Sequence, residues 1–135
     1  MAGYSKTPLA QKLGIKPGFR VRTVNAPANY LQLIAPVPDG VTVSPRLRTG
    51  VDMVHLFVDR HAQLEPQLSS ALALIADDGM IWVSWPKKAS GVDTDVTEDV
   101  IRREALKTTL VDVKVCAVDE TWSGLKLVIR KKHRR

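Results

Sequence analysis

The feature of this sequence that most narrows its fold is residues 80–85, Met-Ile-Trp-Val-Ser-Trp, a short and almost wholly apolar run held between Asp77-Asp78-Gly79 and Pro86. A strand that is apolar at both of its alternating positions is covered on both faces, which requires a sheet with a layer on each side. Behind it the chain turns polar at once, with Lys87, Lys88, Ser90, Gly91, Thr94 and Asp95, before a helical pattern begins near Asp95. A buried strand that runs through a polar loop into a helix N-terminus is where open α/β sheets hold ligands.

Taken in order, the chain alternates strand and helix signals. Residues 1–8 read as an irregular lead. A short helix follows, with Thr7 as N-cap, Pro8 at its first position and Gly14 as its stop. Residues 19–24 alternate as a first strand, which Asn25-Ala26-Pro27-Ala28-Asn29 breaks. Pro27 opens a short helix carrying Tyr30, Leu31, Leu33 and Ile34, and Pro36 and Pro38 end it. Residues 41–43 form a small strand and residues 52–58, nearly all apolar, a central one. Asp59 then caps a helix whose stripe is Leu64, Leu68, Ala71, Leu72 and Ile75, and Asp78-Gly79 ends it. Asp95 with Glu98 resembles a capping box for a further helix that buries Val96, Val100, Ile101, Ala105, Leu106 and Leu110. Strands over residues 112–119 and 125–131 close the chain, and the short link Glu120-Thr121-Trp122-Ser123-Gly124 makes them an antiparallel pair. The reading is a Rossmann-like α/β three-layer sandwich, mostly parallel, with an antiparallel C-terminal hairpin.

A chain of 135 residues fits one domain, placed at 1–129. The formal charge of +6 is concentrated at the end: five of the 20 basic side chains are Arg130, Lys131, Lys132, Arg134 and Arg135. The first 129 residues, with 15 basic and 14 acidic groups, are nearly neutral. Residues 130–135 are therefore a basic tail, either a solvated extension or a non-specific contact for nucleic acid. The lone Cys116, set in an apolar run, reads as a buried structural thiol and excludes an internal disulfide. With no signal-like start and no apolar run of membrane-spanning length, a cytoplasmic, reducing setting is expected and no membrane contact.

Several segments resemble the class I S-adenosylmethionine-dependent methyltransferases. Lys16-Pro17-Gly18-Phe19-Arg20-Val21 is similar to their lead into the first strand, residues 52–58 to their fourth strand, and the final hairpin to theirs. This resemblance implies six strands in the order 2-1-3-4-6-5. The turn Asn25-Ala26-Pro27-Ala28-Asn29 lacks their glycines, and Val43-Ser44-Pro45-Arg46 stands where they place an acidic residue for a ribose. Methyltransferase activity is therefore not expected, nor any cofactor. A second likeness runs nearly end to end. Leu13-Gly-Ile-Lys-Pro-Gly18, Val54-His-Leu-Phe-Val58, Gly79-Met-Ile-Trp-Val-Ser-Trp-Pro-Lys-Lys88, Thr94-Asp95 and residues 111–126 resemble a widespread bacterial family of small proteins of unknown function, which brings no chemistry with it.

The loops at the carboxyl ends of the parallel strands gather the candidate ligand-binding residues Trp85, Lys87, Lys88, Ser90, Thr94, Asp95, Asp119 and Trp122, with Glu120 and Ser123 beside them. Lysines beside a helix N-terminus suit a small anion, and two tryptophans suit a flat ring, so a non-catalytic module for an anionic or nucleotide-like ligand is one reading. An enzyme using Lys87, Asp95 or Asp119 is another, and an accessory protein touching nucleic acid through its tail a third. His55 reads as a hydrogen-bonded core residue and His61 as exposed. The scattered histidines and single cysteine give no metal-ligand spacing, and no nucleophile emerges.

Overall fold

The alternation of apolar runs and amphipathic segments sorts the chain into a sheet and two covering layers. The computed structural model describes residues 7–134, so residues 1–6 of the expected lead and Arg135 of the tail lie outside the described residues. In order come α1 (Leu9–Leu13), β1 (Arg20–Val24), α2 (Tyr30–Ile34), β2 (Thr42–Ser44), β3 (Val51–Phe57), α3 (Leu64–Leu74), β4 (Ile75–Pro86), α4 (Glu98–Leu106), β5 (Leu110–Ala117) and β6 (Trp122–Ile129). Short 3₁₀ turns at His61–Gln63, Lys88–Ser90 and Lys131–His133 join or end them. The sheet order is β2-β1-β3-β4-β6-β5, as the resemblance implies. β2, β1, β3 and β4 run parallel, and β6 is antiparallel to both neighbours.

One face of the sheet packs Val54, Leu56, Ile81, Val83, Trp85 and Leu125 under α3 and α4. The other packs Val21, Met53, Phe57, Met80 and Trp82 under the shorter α1 and α2. β4 contributes to both, which is why residues 80–85 carry no polar side except Ser84. Arg102 of α4 holds Asp112 of β5 at 2.9 Å and also pairs with Glu98 and Asp99, fixing the helix over the hairpin.

Where elements begin and end differs from the sequence reading for local reasons. α3 stops at Leu74, not at Asp78-Gly79, because Ile75 already pairs with Val51 of β3. The residues between loop out of register before Met80 pairs with Met53, and Gly79 fills the bulge. A Cβ there would lie 3.0 Å from the carbonyl oxygens of Ala76 and Asp52. α1 begins one residue late, with Pro8 flanking it, while Gly14 stops it as expected at φ 83°. α4 begins at Glu98, capped by Thr97, whose hydroxyl accepts from the Val100 N–H at 3.2 Å. Asp95 is not its cap; its carboxylate accepts from the His61 N–H at 2.6 Å, at the front of the turn that leads into α3. Asp59, expected to cap that helix, instead gives its N–H to Gln63 at 2.9 Å. Leu106 is 46% exposed, outside the expected buried face. Cys116 is only half-buried, and burial pushes its thiol pKa up. The hairpin link is shorter than expected because Asp119 accepts from the N–H groups of both Thr121 and Trp122 at 2.8 Å, which starts β6 early.

These assignments separate by mutation. Gly79→Ala should cost about 1–3 kcal/mol by overpacking the bulge, and Thr97→Ala about 1 kcal/mol by removing a cap. Urea denaturation measures both; a neutral Gly79→Ala would mean an ordinary open turn.

Candidate functional site

The parallel strands β1, β2, β3 and β4 deliver their carboxyl ends to one edge of the sheet. There a cleft of about 390 Å³ opens past β1 and β2, lined by Thr23, Asn25, Pro27, Tyr30, Ser44 and Pro45 together with small apolar side chains. Asn25 takes φ 57°, the left-handed conformation in which asparagine stands in for glycine. The turn thus bends without the glycines, while Pro27 offers no N–H to a ligand.

The residues expected to bind ligand lie further along the same edge, and most are held by the loop itself. Ser90 donates to the Lys87 carbonyl at 2.6 Å, Thr94 to the Asp59 carbonyl at 2.7 Å, and Asp95 holds His61. Asp93 pairs with Arg60 at 2.8 Å. Asp119 is turned onto its own hairpin, so Asp95 and Asp119 each face backbone donors. Lys87 is half-buried, and its N–H reaches the Thr121 carbonyl at 2.8 Å, while Lys88 is exposed. Trp85 belongs to the core under α3 and α4. Trp122 packs on the opposite face, edge-on to Phe57 with centroids 5.0 Å apart. The two indoles therefore cannot close on one ring from either side. The first turn of α4 already carries two negative charges, Glu98 and Asp99, both paired with Arg102.

Behind the cleft runs a buried polar chain that the sequence reading did not assemble. The Tyr30 hydroxyl lies 2.9 Å from Nδ1 of His55, and Nε2 of His55 lies 2.7 Å from Oγ of Ser84. His55 was expected as a hydrogen-bonded core residue, and it is fully buried and stacked on Phe57 at 4.4 Å. Its partners come from α2 and β4, 25 and 29 residues away, and the one signal for them was the lone serine inside an apolar strand. Burial lowers the ring's pKa to about 3 and raises that of the Tyr30 phenol. The imidazole is neutral, with one ring nitrogen donating and the other accepting. Ser84 is wholly enclosed as well, so this chain has the composition of a catalytic relay but no access to substrate. Among the described residues no three His, Cys, Asp or Glu side chains come together to hold a metal ion. Nor, among the described residues, is any helix long and apolar enough to cross a membrane.

This arrangement, a 2-1-3-4-6-5 sheet with a cleft beyond its first two strands, defines a Rossmann-like protein of the methyltransferase fold type. The chain belongs to the family described as protein of unknown function (DUF3052), whose model matches residues 39–131. The similar segment at residues 13–18 precedes that match. No curated protein matches the sequence. Among solved structures the chain is similar to a ribosomal protein L11 methylase from Lactobacillus delbrueckii subsp. bulgaricus, at 10% identity, TM-score 0.58, covering 90% of this chain and 74% of that one. It is also similar to a SAM-dependent methyltransferase from Bacteroides fragilis in complex with S-adenosyl-L-homocysteine, at 7% identity and TM-score 0.59, covering 92% and 78%. A third, in the NADB-Rossmann superfamily from Streptococcus agalactiae, gives 12% identity and TM-score 0.56, covering 95% and 70%. At these identities the likeness is one of fold.

The neutral His55 makes a signed prediction. The unfolded ring takes a proton below about pH 6.5, whereas the folded one does so only near pH 3. Stability should therefore be full above pH 6.5 and fall as pH drops, by up to about 1.4 kcal/mol per unit. Urea denaturation between pH 6.5 and 4.5 should show a slope that is shallower by about one proton in His55→Gln. Equal slopes would mean that the ring is not held neutral.

Proposed function

We propose that this protein is a non-catalytic binding module that holds a small nucleotide-like or anionic ligand at the carboxyl edge of its parallel strands. The observation that carries the reading is the cleft past β1 and β2, which lies where open α/β sheets take ligands. Its lining mixes the hydroxyls of Thr23 and Ser44 and the amide of Asn25 with Pro27, Pro45 and small apolar groups, a surface suited to a sugar and a flat ring. Lys87 and Lys88, on the same edge, and Arg46, two residues beyond Ser44, are the cations proposed to meet a phosphate or carboxylate. A binding role is favoured over an enzymatic one because Ser84 and His55 are sealed in the core and Asp95 and Asp119 are occupied by backbone donors.

Thermal shift with adenosine and with AMP tests this. A ligand at 100 times its Kd adds about 2.7 kcal/mol, which raises Tm by several degrees. Ala28→Trp, which fills the cleft, should abolish the shift, and Lys87→Ala/Lys88→Ala should weaken AMP while sparing adenosine. No shift with either probe, or a shift that survives Ala28→Trp, would remove the cleft from the reading.

A further inference from the structure

The face of the sheet under α1 gathers lysines that, among the described residues, form no ion pair. Lys126 of β6 stands directly opposite Lys114 of β5 in the strand register. Like charges at such positions repel and destabilise the pair. α1 adds Lys12, whose Nζ reaches across to the Ala117 carbonyl at 3.0 Å. The end of α1 comes so close that a Cβ on Gly14 would lie 4.0 Å from Nζ of Lys126, and Lys16 follows two residues later. Burial lowers the pKa of Lys126, and the charges of Lys114 and Lys16 lower it further. The charges of Lys12 and Lys114 also reach the intervening Cys116. On the opposite face two cations have acidic partners: Arg102 has Glu98, Asp99 and Asp112, and Lys107 has Glu104.

We infer that this lysine face, Lys12, Lys16, Lys114 and Lys126, is a docking surface for the phosphate backbone of duplex nucleic acid. Four ammonium groups on two strands and a helix end form a spread of point charges, which neutralise phosphates without reading bases. Single-strand binders add exposed aromatic platforms, whereas the large exposed apolar side chains among the described residues are all aliphatic. β6 runs on from Lys126 to the turn Lys131–His133, a reach of about 17 Å at strand spacing. The basic tail therefore begins beyond the strip and does not form it: Arg130 reaches the Leu106 carbonyl of α4 at 3.1 Å. The uncompensated repulsion between Lys114 and Lys126 is relieved when an anion lies across them.

Fluorescence anisotropy of the full chain with a labelled 20-base-pair duplex of arbitrary sequence, across a salt series, tests this. Lys114→Gln/Lys126→Gln should weaken binding about tenfold and flatten the log–log salt slope by about 1.8. Its Tm should stay level or rise, since the substitution removes a repulsion, so lost binding cannot be read as lost fold. Arg103→Gln/Lys107→Gln makes the same change in net charge on the α4 side and should leave affinity unchanged. Any of four results would overturn the assignment: no duplex binding by the parent protein, equal loss in both double variants, loss confined to Lys131→Gln/Lys132→Gln, or binding only to phosphatidylserine vesicles.

Discussion

The indole of Trp82, sunk in the middle of β4 with its N–H on the Leu13 carbonyl at 2.9 Å, fixes how the sheet meets one of its covers. A five-residue helix such as α1 has no stability of its own and exists only by packing. The bond uses a carbonyl that a helix end would leave without a partner. On its other side the indole needs room: a Cβ on Gly124 would lie 3.1 Å from its ring. One side chain thus demands a glycine in β6, sets the place of α1 and brings Lys12 and Lys126 onto the same surface.

What the sequence made legible follows from how local each signal is. The strands could be read because burial on two faces leaves a composition that few other structures share, as in residues 80–85, whereas their order came from the resemblance to the methyltransferase fold. Helix starts were misplaced where two capping side chains compete. Asp95 and Thr97 are both good caps, and the choice was decided by the distant His61 N–H, which draws Asp95 away. The same applies to Gly79, whose role depends on the Asp52 carbonyl in another strand. The candidate edge was legible as a place but not as an arrangement. Whether Trp85 and Trp122 share a face depends on strand pairing, which puts Trp85 opposite Ser123 and Pro86 opposite Trp122. Adjacent register positions point to opposite sides of a sheet.

The strand register lines up Thr23, His55, Trp82, Lys126 and Lys114 in a single row across five strands. Thr23, His55 and Trp82 are buried, Lys126 is half-covered and Lys114 is exposed. The gradient follows the cover: α1 and α2 are short and lie over β1, β3 and β4, leaving the hairpin side open. Polar groups are tolerated along this row for two different reasons. His55 satisfies its nitrogens internally and gives up its charge, whereas Lys126 keeps part of its stem buried and its ammonium toward water.

The cleft and this row are joined by the Tyr30–His55 bond, which limits what the edge can do. Tyr30 lines the cleft and bonds His55 behind it, so the cleft floor is braced by a satisfied chain that ends on Ser84 in β4. Such a floor is rigid, because moving Tyr30 would strand a buried histidine nitrogen at a cost of about 1–3 kcal/mol. Rigidity there complements the turn above it. A glycine-rich turn binds a diphosphate through closely approaching backbone N–H groups, whereas Asn25-Ala26-Pro27 lacks the glycines and loses one donor to proline. In the reading proposed above, recognition at this edge comes from side-chain hydroxyls, apolar walls and the cations Lys87, Lys88 and Arg46, and not from the backbone N–H groups of the turn. Both proposed anion contacts therefore use lysine ammonium groups, which need no glycine-rich turn to reach a phosphate.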